Sequence, residues 1–202
     1  NFKSFCSALK PLLSSNKEAL EELEKIENNF NKVMQEKMEN MWANKLGLEK
    51  FDVELFEELI NLIIDTKVDY TIFFRELSNI PDEISSLEKS FYGTLKDENI
   101  KLRWNNWLEI WKLQINVNDE SSKEKLSNQM KLTNPKYTLR EWHLVWAYQE
   151  AQNGNYEPVQ ELQKIMTNPY NEQTKEIEEK YYIKKPSDFF GIAGISHVSC
   201  SS

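Results

Sequence analysis

Glycine, cysteine and histidine are scarce in this sequence: 5, 2 and 2 among 202 residues. Scattered glycines cannot build a phosphate-cradling loop, and neither G-x-x-x-x-G-K-[ST] nor a G-x-S-x-G nucleophile elbow occurs. The cysteines, Cys6 and Cys200, stand at opposite ends, which is neither a secreted-type disulfide framework nor a cysteine-built zinc site. A reducing compartment is the default expectation. His143 and His197 form no H-E-x-x-H doublet, so a metal held by His and Cys alone is not expected. Long apolar runs are missing too. Leu62-Ile63-Ile64 is typical, far short of the roughly 20 residues that span a bilayer, so a soluble chain with no membrane partner is expected. A basic excess is also absent: Lys+Arg 25 against Asp+Glu 33 gives a net charge of −8, without the phosphate-neutralising patch of a nucleic-acid binder. No nucleic-acid partner is expected.

What is present is enough chain for one core. At 24.0 kDa, surface scaling lets about 70% of the extended surface be buried. From Lys17 to Leu46 apolar residues recur at Leu20, Leu23, Ile26, Phe30, Val33, Met34, Met38, Met41 and Trp42, the three-and-four spacing of an amphipathic helix. Ser15 and Asn16 are its N-cap candidates, and Gly47 stands where a left-handed residue closes a helix. A second helix, about Asp52 to Asp65, is so rich in Leu, Ile, Val and Phe that it is expected to be largely buried. Asp69 opens a third candidate, Tyr70 to Leu77, whose aromatic and β-branched content also tolerates a strand; its neighbours favour helix.

Asp97 then starts a helix bearing Leu102, Trp104, Trp107, Leu108, Trp111 and Leu113. Its three tryptophans at i, i+3, i+7 share one face, and with an acidic chain that face reads as core rather than a platform for stacked bases. Ser121-Ser122-Lys123-Glu124 has capping-box character for a helix to Leu132, which Asn134-Pro135 ends. Helices are also predicted from Leu139 to Gln152, from Glu157-Pro158 to Asn168-Pro169, and weakly from Glu172 to Tyr182. The fold class is all-α: a multi-helix bundle over residues 1–183 with an irregular tail over 184–202.

Acidic clusters such as Glu18-Glu21-Glu22-Glu24 read as solvated helix faces. His143, between Trp142 and Leu144, has no Asp or Ser spaced to orient it as a base, so a packed histidine is expected. No catalytic, cofactor-binding or metal residue is assigned within this chain. Cys200, three residues from the end, is a lone accessible thiol; by itself it fits an incidental cysteine or a redox group. Asn1 stands first rather than Met, and the residues after it lack the charged and apolar regions of a secretory signal, so a chain beginning mid-protein is expected.

Several motifs occur in order along the chain. They are Met38 to Leu48 (M-E-N-M-W-A-N-K-L-G-L), Asp69 to Leu77 (D-Y-T-I-F-F-R-E-L), Asn134-Pro135-Lys136-Tyr137 with Leu139-Arg140, and Gly154-Asn155-Tyr156. Asn168-Pro169-Tyr170, Lys185-Pro186-Ser187-Asp188 and the final Ser199-Cys200-Ser201-Ser202 complete the series. Together they resemble the carboxy-terminal region of the selenoprotein O family, kinase-like (pseudokinase) proteins that transfer AMP from ATP to protein hydroxyls. The sequence departs from the family pattern at Glu141-Trp142-His143 and in a longer Phe189 to Ser196.

The resemblance implies protein adenylylation with ATP and Mg²⁺ or Mn²⁺ for a full-length protein. The Gly-rich loop, phosphate-binding Lys, metal ligands and catalytic Asp of the family lie upstream of the matched region, so none is carried over and no cofactor is assigned to this chain alone. The implied partners are an upstream kinase-like domain of the same protein and protein substrates. The implied compartment is intracellular: mitochondrial in a eukaryote, cytoplasmic in a bacterium. Cys200 maps to the family's terminal cysteine or selenocysteine, which implies a redox role with a partner upstream. Cys6, beside Phe5 in an apolar helical stretch, then reads as a buried bystander, although a Cys6–Cys200 bond stays open. The alternative reading is a non-enzymatic helical interaction module.

Overall fold

The computed structural model describes residues 1–191. Among the described residues there are nine α-helices and no strand, with one isolated bridge between Val68 and Phe91. The all-α class follows from the three-and-four apolar spacing read above. None of these helices is long and apolar enough to cross a membrane.

Local chemistry accounts for the helix ends. Helix α1 spans Phe2–Leu9 and passes through a 3₁₀ turn, Lys10–Leu13, to α2, Lys17–Leu46. The Asn16 side chain accepts the Ala19 N–H at 3.1 Å and caps α2. Gly47 ends it at φ 68°, and a Cβ there would stand 2.7 Å from Met130 Sδ, so two independent constraints require glycine. Asp52 caps α3, Val53–Thr66, through the Leu55 N–H at 2.9 Å. Asp69 caps α4, Tyr70–Leu77, through the Ile72 N–H at 3.1 Å, which settles this segment as helix. A 3₁₀ turn at Ile84–Ser90 leads to α5, Glu98–Ile115, capped by Asp97.

Helix α6, Glu120–Thr133, starts earlier than the Ser121-Ser122 pattern predicted. Asp119 is the cap, and Ser122 closes the box from the third helical position. Helix α7 is Glu141–Gln152 and α8 is Glu157–Thr167. The weak last helix contracts to α9, Lys175–Tyr181, because Thr174 rather than Glu172 supplies the cap.

The main core gathers the end of α2 with α3, α4, α5 and α6 around Trp104, Trp107 and Trp111. The Trp107 indole donates to the Leu55 carbonyl at 2.9 Å and the Trp111 indole to the Leu46 carbonyl at 2.8 Å. These tryptophans are therefore packing elements whose polar edges tie α5 to α3 and α2. Leu108 joins them in the core, whereas Leu113 is 80% exposed and Leu102 also faces outward. Helix α3 is buried along Leu55, Leu59 and Leu62, whereas Val53 and Ile64 are exposed, so it is half-buried rather than largely buried.

A second, smaller cluster joins α7, α8 and α9 through Tyr137, Ala147, Leu162, Ile165, Tyr181 and Tyr182. Helix α4 belongs to both, with Phe73, Phe74 and Leu77 in the first cluster and Ile72 in the second. Tyr70 at its start stays partly exposed, so the helix is buried along Ile72, Phe73, Phe74, Arg75 and Leu77 rather than on every side.

Candidate functional site

Four of the seven motifs converge on one place, a polar network between the two apolar clusters. Asn134, fully buried where α6 ends, accepts from Lys45 Nζ at 2.8 Å and donates to the Lys45 carbonyl at 2.9 Å and to Ser78 Oγ at 3.0 Å. Arg75 of α4, also buried, donates to the carbonyls of Lys131 and Asn134, both at 3.1 Å, and to Glu172 at 2.6 Å. Lys136 is held by Glu172 and, at 2.7 Å, by Glu178 of α9. The backbone N–H groups of Lys136 and Tyr137 both donate to the Pro169 carbonyl, at 2.9 and 3.0 Å. Four sequence motifs thus meet through Lys45, Arg75, Asn134-Pro135-Lys136-Tyr137 and Pro169.

A second ion pair fastens the same region. Arg140 grips Asp69 with two bonds of 2.8 Å while Asp69 still caps α4, and Tyr92 donates to the same carboxylate at 3.2 Å. The start of the tail is anchored nearby: the Lys185 N–H donates to Tyr92 Oη at 3.2 Å, and Phe190 meets the Tyr92 ring edge-on at 5.6 Å.

The electrostatics are those of a clamp. Burial works against the Lys136 charge, but Glu172 and Glu178 outweigh it and hold its pKa above the ordinary value. Burial likewise opposes the Glu172 charge, yet Lys136 and Arg75 keep its carboxyl below the usual range. Lys45 differs: its ammonium lies 4.6 Å from the Phe74 ring centre and 5.2 Å from that of Tyr70, and burial lowers its pKa to about 8. Every charge in the clamp proper has an opposite partner, so the arrangement joins helices.

His143 lies beside the clamp, buried against the rings of Trp142 and Tyr181 at 5.4 and 4.9 Å, with no hydrogen-bond partner for Nε2. Burial lowers its pKa to about 4, which keeps it neutral. Elsewhere a cleft of about 870 Å³ between the Ile84–Ser90 turn and α5 is lined by Asp82, Ile84, Asn105, Lys112 and Leu113 among others, and by no motif residue.

The family model described as protein adenylyltransferase SelO matches residues 1–167. The chain belongs to the SelO family. Proteins called protein nucleotidyltransferase YdiU are similar to it. The one from Flavobacterium johnsoniae is 31% identical, with all of this chain and 39% of the relative covered. That from Aromatoleum aromaticum is 32% identical over 86% of this chain and 34% of the relative. That from Photobacterium profundum is 28% identical over all of this chain and 39% of the relative. The chain therefore spans well under half the length of these SelO relatives.

An ATP and metal site does not fit the residues described. Among them no three His, Cys, Asp or Glu side chains stand together as cation ligands, and Gly47, Gly93, Gly154 and Gly191 are too dispersed to form a phosphate loop. Cys6 is buried in α1. Cys200, the residue assigned a redox role from sequence, lies outside the described residues, as does His197. The clamp itself was not singled out from sequence as a site. Its signal was the ordered set of motifs, which marked Lys45, Arg75, Asn134 and Lys136 without revealing that they touch and did not mark Glu172 or Glu178.

Proposed function

We propose that this chain is the carboxy-terminal helical portion of a protein adenylyltransferase that moves AMP from ATP to Ser, Thr or Tyr hydroxyls of proteins. The observation that carries this is the SelO match over residues 1–167, together with relatives named as protein nucleotidyltransferases of which the chain spans 39% or less. In this reading an upstream kinase-like domain holds ATP with Mg²⁺ or Mn²⁺ and supplies the catalytic groups. The present helices are its scaffold. The paired chemistry of Arg75, Lys136, Glu172 and Glu178 supports a scaffolding role, since none of these side chains is left free to act on a substrate. The compartment is intracellular, and cytoplasmic in a bacterium such as those that carry the relatives.

Cys200 is the redox handle in this reading. Its thiol and an upstream thiol form a disulfide, giving two electrons and two protons to a small-molecule disulfide that is reduced to two thiols. The alternative is a helical interaction module without catalysis.

Transfer of label from α-labelled ATP to protein, with Mg²⁺ or Mn²⁺, tests both. Transfer is expected from the chain extended by its own upstream sequence and not from the 202 residues alone, with a reductant effect that Cys200→Ala abolishes. Transfer by the short chain would overturn the upstream placement of the catalytic groups. Silence from both forms would favour the interaction module.

A further inference from the structure

The cleft of about 870 Å³ lies apart from the clamp, and its two walls come from different elements. One wall is residues 82–85, leading into the 3₁₀ turn; the other is the outer side of α5 with Asn105, Glu109 and Leu113. Past Asp82 and Lys112, which line both, it continues into a second hollow of about 350 Å³ beside Asp119 and Glu120. The first wall is firm before anything binds. Ile80, β-branched and followed by Pro81, stands at φ 52°, where such a residue is held only by its surroundings. Its side chain is sunk in the main core, so the stretch carrying Asp82 and Glu83 is fixed in direction.

Charge and apolar surface together describe the occupant. Across the two hollows the carboxylates of Asp82, Glu83, Glu109, Asp119 and Glu120 stand against only two ammoniums, Lys112 and Lys123. Both ammoniums are drawn onto Asp82, at 3.0 and 3.8 Å. The Glu83 carboxylate receives only the Ser85 hydroxyl, at 3.2 Å, and that of Glu109 has no hydrogen bond or ion pair among the described residues. Leu113, 80% exposed, follows Glu109 by one helical turn on the same wall. Such a lining repels phosphates. Its carboxylates are too dispersed to chelate an ion, since no three stand together among the described residues. A small amine would answer the charge and leave Leu113 and Ile84 wet. A Lys or Arg side chain answers both, with its head at a carboxylate and its methylene stem along the apolar wall.

We infer that this cleft binds an extended basic segment of another protein, with Lys or Arg heads at Glu83 and Glu109 and an apolar side chain between them on Leu113 and Ile84. The Asn105 side-chain amide, which has no hydrogen bond among the described residues, offers the segment's backbone a donor and an acceptor. The inference goes beyond the adenylyltransferase reading and does not rest on it.

Fluorescence anisotropy tests it with a labelled synthetic peptide in which arginine alternates with leucine and glycine, beside the same peptide carrying glutamate for arginine. The 202-residue chain is expected to bind the first and not the second, and more weakly as salt rises. Glu83→Lys together with Glu109→Lys should weaken binding about tenfold, and Leu113→Ser about threefold. These are exposed positions, so melting curves should stay where they were. Unchanged binding in the variants overturns the inference, as does equal binding of the glutamate peptide. Glu21→Lys with Glu36→Lys changes the net charge equally on the exposed side of α2 and should leave binding within about twofold. A loss there as large as at the cleft overturns it in favour of diffuse attraction to an acidic chain. Sedimentation that shows a dimer dissolved by Leu113→Ser overturns it in favour of a second copy, and failure of the upstream-extended protein to bind the peptide overturns it in favour of the chain's own polypeptide. The measurement needs no ATP, so its failure and that of the label-transfer assay are separate results.

Discussion

The two halves of this molecule are joined by opposite chemistries. Around Trp104, Trp107 and Trp111 the helices meet through dry aromatic and leucine packing, with indole N–H groups of Trp107 and Trp111 spent on backbone carbonyls. Around Tyr137, Tyr181 and Tyr182 the apolar cluster is small, and the joints are charged: Arg75 to Glu172, Lys136 to Glu172 and Glu178, Arg140 to Asp69. Packing is non-directional and scales with area, so it supplies most of the stability. Ion pairs whose cations are buried, as Arg75 and Lys136 are here while Glu172 stays largely exposed, add little net energy, but they punish misalignment, so they specify how α9 and the α6–α7 connection sit on α4.

The difference can be broken or sharpened by substitution. The largest effect is expected at the tryptophan core, where Trp111→Ala should cost about 3–5 kcal/mol in urea unfolding; a loss below about 1 kcal/mol would show that the core is not where stability resides. Arg75→Met comes next. It removes the donor to the carbonyls of Lys131 and Asn134 and one of the two cations on Glu172, which keeps Lys136, and it should cost about 2–3 kcal/mol. Amide hydrogen exchange should then accelerate in Lys175–Tyr181 while α5 stays protected. Uniform acceleration would mean that the two halves open together.

Acid should act through the second half. His143 is neutral in the fold down to a pKa of about 4, against an ordinary 6.5, so below pH 6.5 the unfolded chain takes up a proton first. Stability conferred by the neutral ring is present above pH 6.5 and declines as pH falls toward 4. The loss is about 2 kcal/mol by about pH 5, and His143→Phe should remove that part of the slope. Lys45 has the converse signature at the alkaline side. With its pKa lowered from 10.5 to about 8, the unfolded chain holds the proton longer, so folding becomes more favourable as pH rises above 8. The gain is about 1 kcal/mol by about pH 9, and it should be absent from Lys45→Met, as melting curves at both pH values would reveal. The smallest effect belongs to Leu113→Ala, within about 0.5 kcal/mol despite its place beside the tryptophans in sequence.

That last contrast shows what sequence could and could not disclose. Caps and stops act within four residues, so Asn16, Gly47, Asp52, Asp69 and Asp97 were readable as helix boundaries and stand there in the fold. The tryptophan face was equally legible, because residues at i, i+3 and i+7 share a side whatever the tertiary fold. Which neighbours of that face are covered depends on where the next helix lies, and this is why Leu102, Leu113 and Ile64 came out exposed. The clamp was the least legible part. Arg75 and Glu172 are 97 positions apart, and Lys45 and Asn134 are 89 apart, separations over which no periodic rule operates. The ordered motifs flagged Lys45, Arg75 and Asn134 only as shared with a family and passed over Glu172, and the contacts gave all four their physical meaning.

Helix α4 turns this arrangement into a constraint on evolutionary drift. An eight-residue segment that presents Phe73, Phe74 and Leu77 to one core and Ile72 to another, with Arg75 committed to three acceptors, has almost no side on which a change of volume can be absorbed. A methylene added or removed there must be answered in both halves at once. Among homologues, D-Y-T-I-F-F-R-E-L should accordingly change more slowly than the outward surfaces of α6 and α8, and any departure at Phe73 should be matched by a compensating one at Trp104, whose ring lies 5.4 Å away.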